Sequence, residues 1–494
     1  MNQFMNKSKK SCFAWILPIL AISSVFFSVN ASALGTGIST KFTKQCKPLG
    51  ITQKEWDDYQ KLNKRPFPAT QPLLFKRLER AQEYYGDERY DEALSLLKSL
   101  ETNNSSNPAA MAQIHQLMDY TYQGMKNYKE SLKYAKMTYD AKIFPYRVEQ
   151  QILFRLATLE LLLEHSAESV KYMKLWFEHA VNPESSKYEY LGQALAFDGQ
   201  LKESVCPIYF ALDKWFDEHV ANVAKYNTNM EEYKVKMAAI ASGDIKLTEK
   251  EKPPTEPTKP EDHPKSVWYS VLFSQHWQLK DMEGAVSVVK EALHHYPEDK
   301  RFWLNLSSTY TEMGKDEDST VILALADKLK LLVKSNEIRT LSQDYAYLEV
   351  PYLAADRLQK GIEEGTVESE MRYWNATAVN WQFAYEIDKS VYAYFKAAEL
   401  DDTGKLYADA GSLLTSYERW AAAENALTKA INKGLEKEKD VATAYYNLGI
   451  ARFNQNKFDA AEDAMEKAGK VESFKNRATQ WKAIIESTKS RLKK

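Results

Sequence analysis

The sequence predicts an all-α protein built from repeated helix pairs, and two observations support this prediction. A set of residue types, seen in Tyr445, Leu448, Gly449 and Phe458, recurs about ten times at intervals of mostly 33–38 residues. A small residue, Ala461 in this unit, recurs with it at a constant place. Repeats of this length are typical of stacked helix–turn–helix units. We therefore expect a helical solenoid.

The recurring small residue marks the place where the two helices of a pair touch. Closely approaching backbones leave room only for Gly, Ala or Ser, while large residues such as Tyr445 fill the space around the contact. We call the recurring residues the contact series: Ala93, Ser131, Ser169, Ser204, Ala285, Ser319, Ala354, Ser390, Ala423 and Ala461. The interval after Ser204 is 81 residues, so an additional element must lie there.

These units resemble the tetratricopeptide repeat (TPR) over most of the chain. First helices of that type are Tyr188-Leu191-Gly192-Leu195, Trp303-Leu306-Ser307-Tyr310 and Tyr407-Ala410-Gly411-Leu414. Second-helix starts are Asp91-Glu92-Ala93-Leu94 and Lys457-Phe458-Asp459-Ala460-Ala461, and Pro297 matches the terminal proline. The departures are Arg452 and Pro351, where an aromatic is usual, and Ser390 in place of Ala. The resemblance implies helix pairs whose first helices line a concave face.

The first 33 residues have the pattern of a secretory signal peptide. Three lysines precede an apolar run from Cys12 to Val29, and Ala31-Ser32-Ala33 supplies the small residues of a cleavage site. The alternative is an uncleaved membrane anchor, but Pro18 and three serines within the run make a poor membrane helix. We therefore expect cleavage and a periplasmic location.

The mature chain is expected to begin with an irregular segment and a first array. Residues 34–71 carry little periodicity, with one short helix expected around Glu55–Leu62. Residues 72–245 are predicted to hold about four repeat units and a long helix that ends at Ser242-Gly243, because apolar residues keep three- and four-residue spacing up to that point.

A change of composition then predicts a linker and a second array. Residues 246–265 contain five prolines among Lys, Glu and Thr, with almost nothing apolar, so we expect an extended, mobile linker. Residues 266–494 are predicted to form about six units closed by a capping helix. In that helix Phe474, Ala478, Trp481 and Ile485 share one face, which would cover the last repeat.

Two cysteines remain after cleavage, Cys46 and Cys206. An oxidising compartment would permit them to pair, and the bond would then tie the N-terminal segment to the fourth repeat. The alternative is two separate thiols. The sequence leaves both open.

Composition and motif spacing argue against nucleic-acid binding and catalysis. The net charge is −2, from 66 basic and 68 acidic side chains, whereas a nucleic-acid-binding protein needs a basic face. The eight histidines show no His-x-x-x-His spacing, and no catalytic set is recognisable. We therefore predict a non-enzymatic protein without metal or cofactor.

The binding site should then be a surface, and the first helices of the second array are the candidates. Their outward polar and apolar side chains can contact an extended peptide. The predicted groove residues are Asn305, Ser308, Arg372, Asn375, Val379, Gln382, Asn447 and Ile450. The cations with which chaperone-binding repeats clamp a terminal carboxylate are missing in the last three units.

A closer resemblance is to exported bacterial TPR proteins described as components of TonB energy-transduction systems. It rests on Trp303-Leu304-Asn305-Leu306-Ser307, on Pro351-Tyr352-Leu353-Ala354-Ala355, on Lys360-Gly361-Ile362-Glu363-Glu364-Gly365 and on Gln480-Trp481. The resemblance implies a periplasmic interaction scaffold for TonB-dependent uptake, with a protein or peptide segment of an envelope complex as partner. The alternative function is a structural scaffold in cell-envelope or surface-polysaccharide assembly.

Overall fold

The fold is all-α, as predicted. The computed structural model describes residues 46–245 and 252–492, and these residues contain 22 α-helices and no strand apart from an isolated bridge between Ile51 and Val181. The predicted signal peptide, residues 1–33, lies outside the described residues. None of the described helices is long and apolar enough to cross a membrane.

The chain forms two compact units, Met1–Tyr296 and Pro297–Lys494. The helices of unit 1 are α1 (Gln53–Leu62), α2 (Pro72–Gly86), α3 (Tyr90–Asn103), α4 (Pro108–Gly124), α5 (Tyr128–Asp140), α6 (Tyr146–Leu162), α7 (Ser166–Phe177), α8 (Ser185–Phe197), α9 (Leu201–Ser242), α10 (Ser266–Gln278) and α11 (Met282–His295). Those of unit 2 are α12 (Lys300–Glu312), α13 (Asp316–Lys328), α14 (Ser335–Tyr347), α15 (Pro351–Glu363), α16 (Met371–Phe383), α17 (Ile387–Leu400), α18 (Lys405–Ser416), α19 (Trp420–Lys433), α20 (Glu438–Phe453), α21 (Phe458–Ala468) and α22 (Glu472–Leu492).

The contact series marks the second helix of every pair. All ten residues lie in the first turns of α3, α5, α7, α9, α11, α13, α15, α17, α19 and α21, and each is at most 4% exposed. Five residues before each of them the backbone adopts a left-handed conformation, with φ between +57° and +78°. The turn residues are Glu88, Lys126, Glu164, Gly199, Lys280, Gly314, Glu349, Tyr385, Glu418 and Asn456. The predicted register is therefore confirmed in all ten units.

Serine in the contact series is as well accommodated as alanine. The hydroxyl of Ser169 donates to the backbone oxygen of Ala157 at 2.7 Å, and that of Ser390 donates to Ala378 at 2.8 Å. A buried hydroxyl with a hydrogen-bond partner costs little. The substitution of Ser for Ala thus leaves the helix contact intact.

The boundary between the two units differs from the predicted one. The linker was expected to separate the arrays at residues 246–265, but the helix pair α10–α11 belongs to unit 1. Its residues bind α9 and α8: Gln275 Nε2 donates to Ser204 Oγ at 2.7 Å, and Lys265 Nζ donates to Glu189 Oε2 at 2.7 Å. These polar contacts, of which the one between Gln275 and Ser204 is buried, hold the pair in place. The ten pairs are therefore divided five and five rather than four and six.

The long helix and the described part of the proline-rich segment run together. Helix α9 has 42 residues and ends at Gly243 in the left-handed conformation, which confirms the predicted end. Residues 252–265 are extended, and Pro254, Pro257 and Pro260 are half-buried at every third position. Three residues per turn is the period of a polyproline II helix. Lys259 lies near Tyr226 of α9, and Asp262 lies near His219 two turns earlier in that helix, so the segment returns along α9.

The N-terminal segment is tied to unit 1 by a covalent bond. Cys46 and Cys206 form a disulfide, with Cα atoms 5.7 Å apart and a sequence separation of 160. The backbone amide of Ile51 also donates to the carbonyl of Ala180 at 2.9 Å. Of the two alternatives that the sequence left open, the structure has the bridge.

The residues that are atypical for the repeat are each explained by their local structure. Pro351 is at the start of α15, where the absent amide hydrogen is not needed. Gly361 packs so tightly that an added Cβ would lie 2.9 Å from Cγ2 of Val367. Arg452 donates to Glu424 Oε1 at 3.0 Å and to the carbonyl of Ala460 at 3.2 Å, which joins α20 to α19 and α21.

Candidate functional site

The first helices of unit 2 carry the predicted groove residues, and four of them, including Arg372, lie on α16. Asn375 and Val379 are half-buried, while Gln382 at the C-terminal end is exposed. Val379 packs against the core beneath it. The side-chain oxygen of Gln382 accepts from the hydroxyl of Tyr394 at 3.2 Å, so the amide nitrogen remains available as a donor.

One hydrogen bond connects two consecutive first helices along this face. The amide nitrogen of Asn447 on α20 donates to Oγ of Ser412 on α18 at 3.0 Å. Ser412 in α18 corresponds to Val379 in α16, since each lies eleven residues before a residue of the contact series.

Three further predicted residues have contacts within the chain. Ile450 packs in the cluster of Ala461, Met465 and Ile485, where the capping helix α22 covers it, so it does not line an open groove. Ser308 donates to its own helix, to the carbonyl of Leu304 at 2.8 Å. Arg372 forms an ion pair with Glu370 at 2.6 Å. Asn305, on α12, is half-buried.

The electrostatics of α14 and α16 at this face combine a cation with an aromatic ring. The guanidinium carbon of Arg339 lies 4.7 Å from the ring centroid of Tyr373, and this contact joins the two first helices.

At the start of α14, burial acts to raise the pKa of Glu337, but hydrogen bonds from Lys300 and from the backbone of Lys334 outweigh it and lower the pKa. The carboxylate therefore stays ionised and fixes the helix start.

Unit 1 contains a buried chain of hydrogen bonds that sequence analysis did not identify. Tyr209 OH and His276 Nε2 are 2.8 Å apart, and His276 Nδ1 is 2.7 Å from Asp281 Oδ2. Because burial lowers the pKa of His276, its ring is neutral near pH 7, donating to Asp281 and accepting from Tyr209. An added Cβ on Gly284 would lie 2.3 Å from His276 Nδ1. The chain of bonds therefore serves as a tether between α9 and the α10–α11 pair.

The part of the chain that the structure describes contains no cluster of metal-ligating side chains. No three side chains among its His, Cys, Asp and Glu residues are arranged to hold a metal ion. Five of the eight predicted groove residues carry amides or hydroxyls, which suit hydrogen bonding to a peptide backbone.

The comparisons with known proteins agree with this architecture. A family model for the tetratricopeptide repeat matches residues 409–470, from within α18 through α21. No curated protein matches the sequence. With its helix pairs, the chain is an all-α solenoid of the TPR type, and repeats of this type serve as protein–protein interaction scaffolds.

The solved structures with low similarity include the following three. MamA (residues 41 to the end) from Desulfovibrio magneticus RS-1 is 15% identical, over 34% of this chain and 94% of that one, with a TM-score of 0.24. A TPR protein from Parabacteroides merdae is 15% identical, over 61% and 98%, with a TM-score of 0.25. YrrB, described as a TPR protein with an unusual peptide-binding site, is 17% identical, over 34% and 86%, with a TM-score of 0.26. These scores support no argument about function.

Proposed function

We propose that this chain is a non-enzymatic scaffold that holds an extended protein segment against the first helices of unit 2. The observation that carries the proposal is the set of amide side chains on first helices: Asn375 and Gln382 on α16, and Asn447 on α20, which donates to Ser412 on α18. Amide groups at such spacing can pair with the backbone of a bound segment, which is how a peptide gains affinity without a deep pocket.

The proposed location is the periplasm. The signal-peptide pattern of residues 1–33 supports export, and the Cys46–Cys206 bond is of the kind that persists in oxidising compartments. The same bond would be rare in a reducing cytosol.

The proposed partner is a segment of a TonB-dependent uptake system. This part rests on the resemblance around Pro351 and Gly361, both of which have specific structural roles in α15. The alternative is a structural scaffold in cell-envelope or surface-polysaccharide assembly. It differs in that many weak contacts, rather than one groove, would hold its partners.

The test is a pull-down from the periplasm with the full chain and a triple variant, Asn375→Glu, Gln382→Glu and Asn447→Glu. The added charges should abolish partner recovery while changing stability little, since these residues are not in the core. A matched control places the same three charges on exposed residues of α19 and α22, as Asn425→Glu, Asn432→Glu and Asn476→Glu.

The outcomes separate the alternatives. Equal recovery of partners by the parent and the groove variant would show that the groove is not the site. Recovery of envelope-assembly proteins, with no component of a TonB system, would favour the structural scaffold.

A further inference from the structure

Three aromatic side chains stand exposed at the turns of two consecutive helix pairs in unit 2. Tyr347 at the end of α14 is 73% exposed, Phe383 at the end of α16 is 68% exposed, and Tyr385 in the following turn is 81% exposed. Tyr347 and Phe383 are in equivalent positions, each seven residues before a residue of the contact series. We call Tyr347, Phe383 and Tyr385 the aromatic edge.

Direct contacts bring the two turns onto one surface. The rings of Tyr352 on α15 and Trp381 on α16 are in edge contact, with centroids 5.1 Å apart. Lys389 Nζ, on α17, lies 4.3 Å from the Trp381 centroid and 4.8 Å from that of Tyr352. Tyr352 lies five residues after Tyr347 and Lys389 four residues after Tyr385, so these contacts link the two turns that carry the aromatic edge.

Tyr385 adopts a backbone conformation that bulky residues rarely adopt. Its φ is +60°, and the equivalent turns of the other nine units have Glu, Lys, Asn or Gly there. A bulky side chain in this region is strained. Because the ring is exposed, packing within the chain does not offset the strain. A strained and exposed aromatic ring is better explained by a contact with another molecule.

The charge around the aromatic edge is negative. Residues 347–353, 383–389 and 416–420 contain four carboxylates and two cations: Glu349, Glu386, Asp388, Glu418, Lys389 and Arg419. Lys389 is 3.4 Å from Glu386, and Arg419 is 4.0 Å from Asp388. The two carboxylates left over, Glu349 and Glu418, are at the same turn position as Tyr385, one unit before it and one unit after it.

We propose that the aromatic edge binds an extended, proline-rich segment of a protein partner that carries lysine or arginine. Proline-rich segments dock on aromatic surfaces because their conformation is preformed. A cation placed over the Tyr385 ring gains a cation–π contact, and Glu349 and Glu418 attract it. Unit 1 offers a precedent, since the proline-rich residues 252–265 lie along α9 beside Tyr226.

This surface is separate from the proposed groove. It requires a protein partner but does not depend on Asn375, Gln382 or Asn447. The two proposals can therefore succeed or fail independently.

The test is fluorescence anisotropy with the full chain and a labelled synthetic peptide of alternating lysine and proline. Binding should exceed that of an alternating glutamate–proline peptide and of a lysine–glycine–serine peptide of equal charge. Together, Phe383→Ala and Tyr385→Gly should weaken binding by about tenfold, as loss of two aromatic contacts does. Glycine suits the backbone at 385, so the variant should fold as the parent does.

Matched controls define the result. Phe197→Ala removes a ring 74% exposed at the equivalent position in unit 1 and should leave binding unchanged. The groove variant should also bind the peptide normally. Equal binding of the lysine–glycine–serine peptide, or no effect of Phe383→Ala and Tyr385→Gly, would overturn the proposal. The proposal would also be overturned if the parent bound a surface oligosaccharide instead of the peptide and the variants lost that binding.

Discussion

The carboxylate of Asp119 on α4 accepts a 2.7 Å hydrogen bond at Oδ1 from Nη2 of Arg155 on α6. At the position of Asp119, twelve residues before the contact series, most first helices have Gly, Ala or Ser. Ser131 of the contact series donates to the same oxygen at 2.6 Å. Burial raises the pKa of Asp119, against the opposing effect of Arg155. An ion pair thus fills the helix contact that a small residue usually forms.

Arg155→Met should destabilise unit 1 by about 3–5 kcal/mol, because it leaves a buried carboxylate without its partner. The double variant Asp119→Ala with Arg155→Met should lose much less, since it removes both charges. The measurement is the free energy of unfolding in urea. Equal losses in the two variants would show that the ion pair is not responsible.

Ala461→Leu should cost about 1–3 kcal/mol, because Ala461 is fully buried between two helices and overpacking forces them apart. Lys457→Leu, four residues earlier on the surface, serves as the control. It loses an exposed ion pair with Glu424 and should cost less than about 1 kcal/mol. Identical denaturation midpoints for the two variants would contradict the assigned register.

Removing the disulfide by Cys46→Ser and Cys206→Ser should lower the stability of unit 1 by about 2–4 kcal/mol, since the bond closes a long loop. Reductant should destabilise the parent by a similar amount and leave the double variant unaffected. If reductant shifts both proteins equally, the effect does not come from this bond.

Lowering the pH should destabilise unit 1 through His295. Burial, together with His294 and His263, lowers the pKa of His295 from 6.5 to about 4. Phe216 on α9 and Tyr269 on α10 also face the ring. The folded state therefore binds the proton less readily than the unfolded chain, so stability is full above pH 6.5 and is lost as the pH falls toward 4.

His295→Gln should flatten this pH dependence in urea denaturation between pH 7 and pH 4. His165→Gln is the control, because the His165 side chain is 59% exposed and near the surface. A slope that survives in His295→Gln would place the sensitive group elsewhere.

Cleavage between residues 246 and 251, at an inserted protease site, should not separate the two fragments. The contacts of His276 with Tyr209 and of Lys265 with Glu189 join residues on both sides of the cut. The fragments should co-elute in gel filtration and separate in urea. Separation without denaturant would restore the predicted boundary at the proline-rich segment.

The helix pairs could be predicted because each carries its own signal. A buried small residue such as Ala461 is required by local backbone approach, and Gly243 ends α9 by a local turn. The unit boundary could not be predicted in this way. It depends on contacts such as that of Gln275 with Ser204, whose partners are 71 residues apart.

The site was harder to predict than the fold. The repeat register placed Asn375 and Asn447 on the first helices, but it could not show that α22 covers Ile450, because covering depends on where the last helix folds back. The exposed ring of Tyr385 was also missed, since an aromatic residue in such a sequence is usually core. Comparing the same turn position across all ten units would have identified it.

The Cys46–Cys206 bond also determines how unit 1 responds to mechanical force. Tension applied to the two ends of the chain would pass through the bond and bypass the 160 residues of sequence that it spans. Helices α1 to α8 would be shielded from the load, while the rest of α9, the α10–α11 pair and unit 2 would bear it. A scaffold that links moving parts would thus keep its first repeats intact while it is pulled.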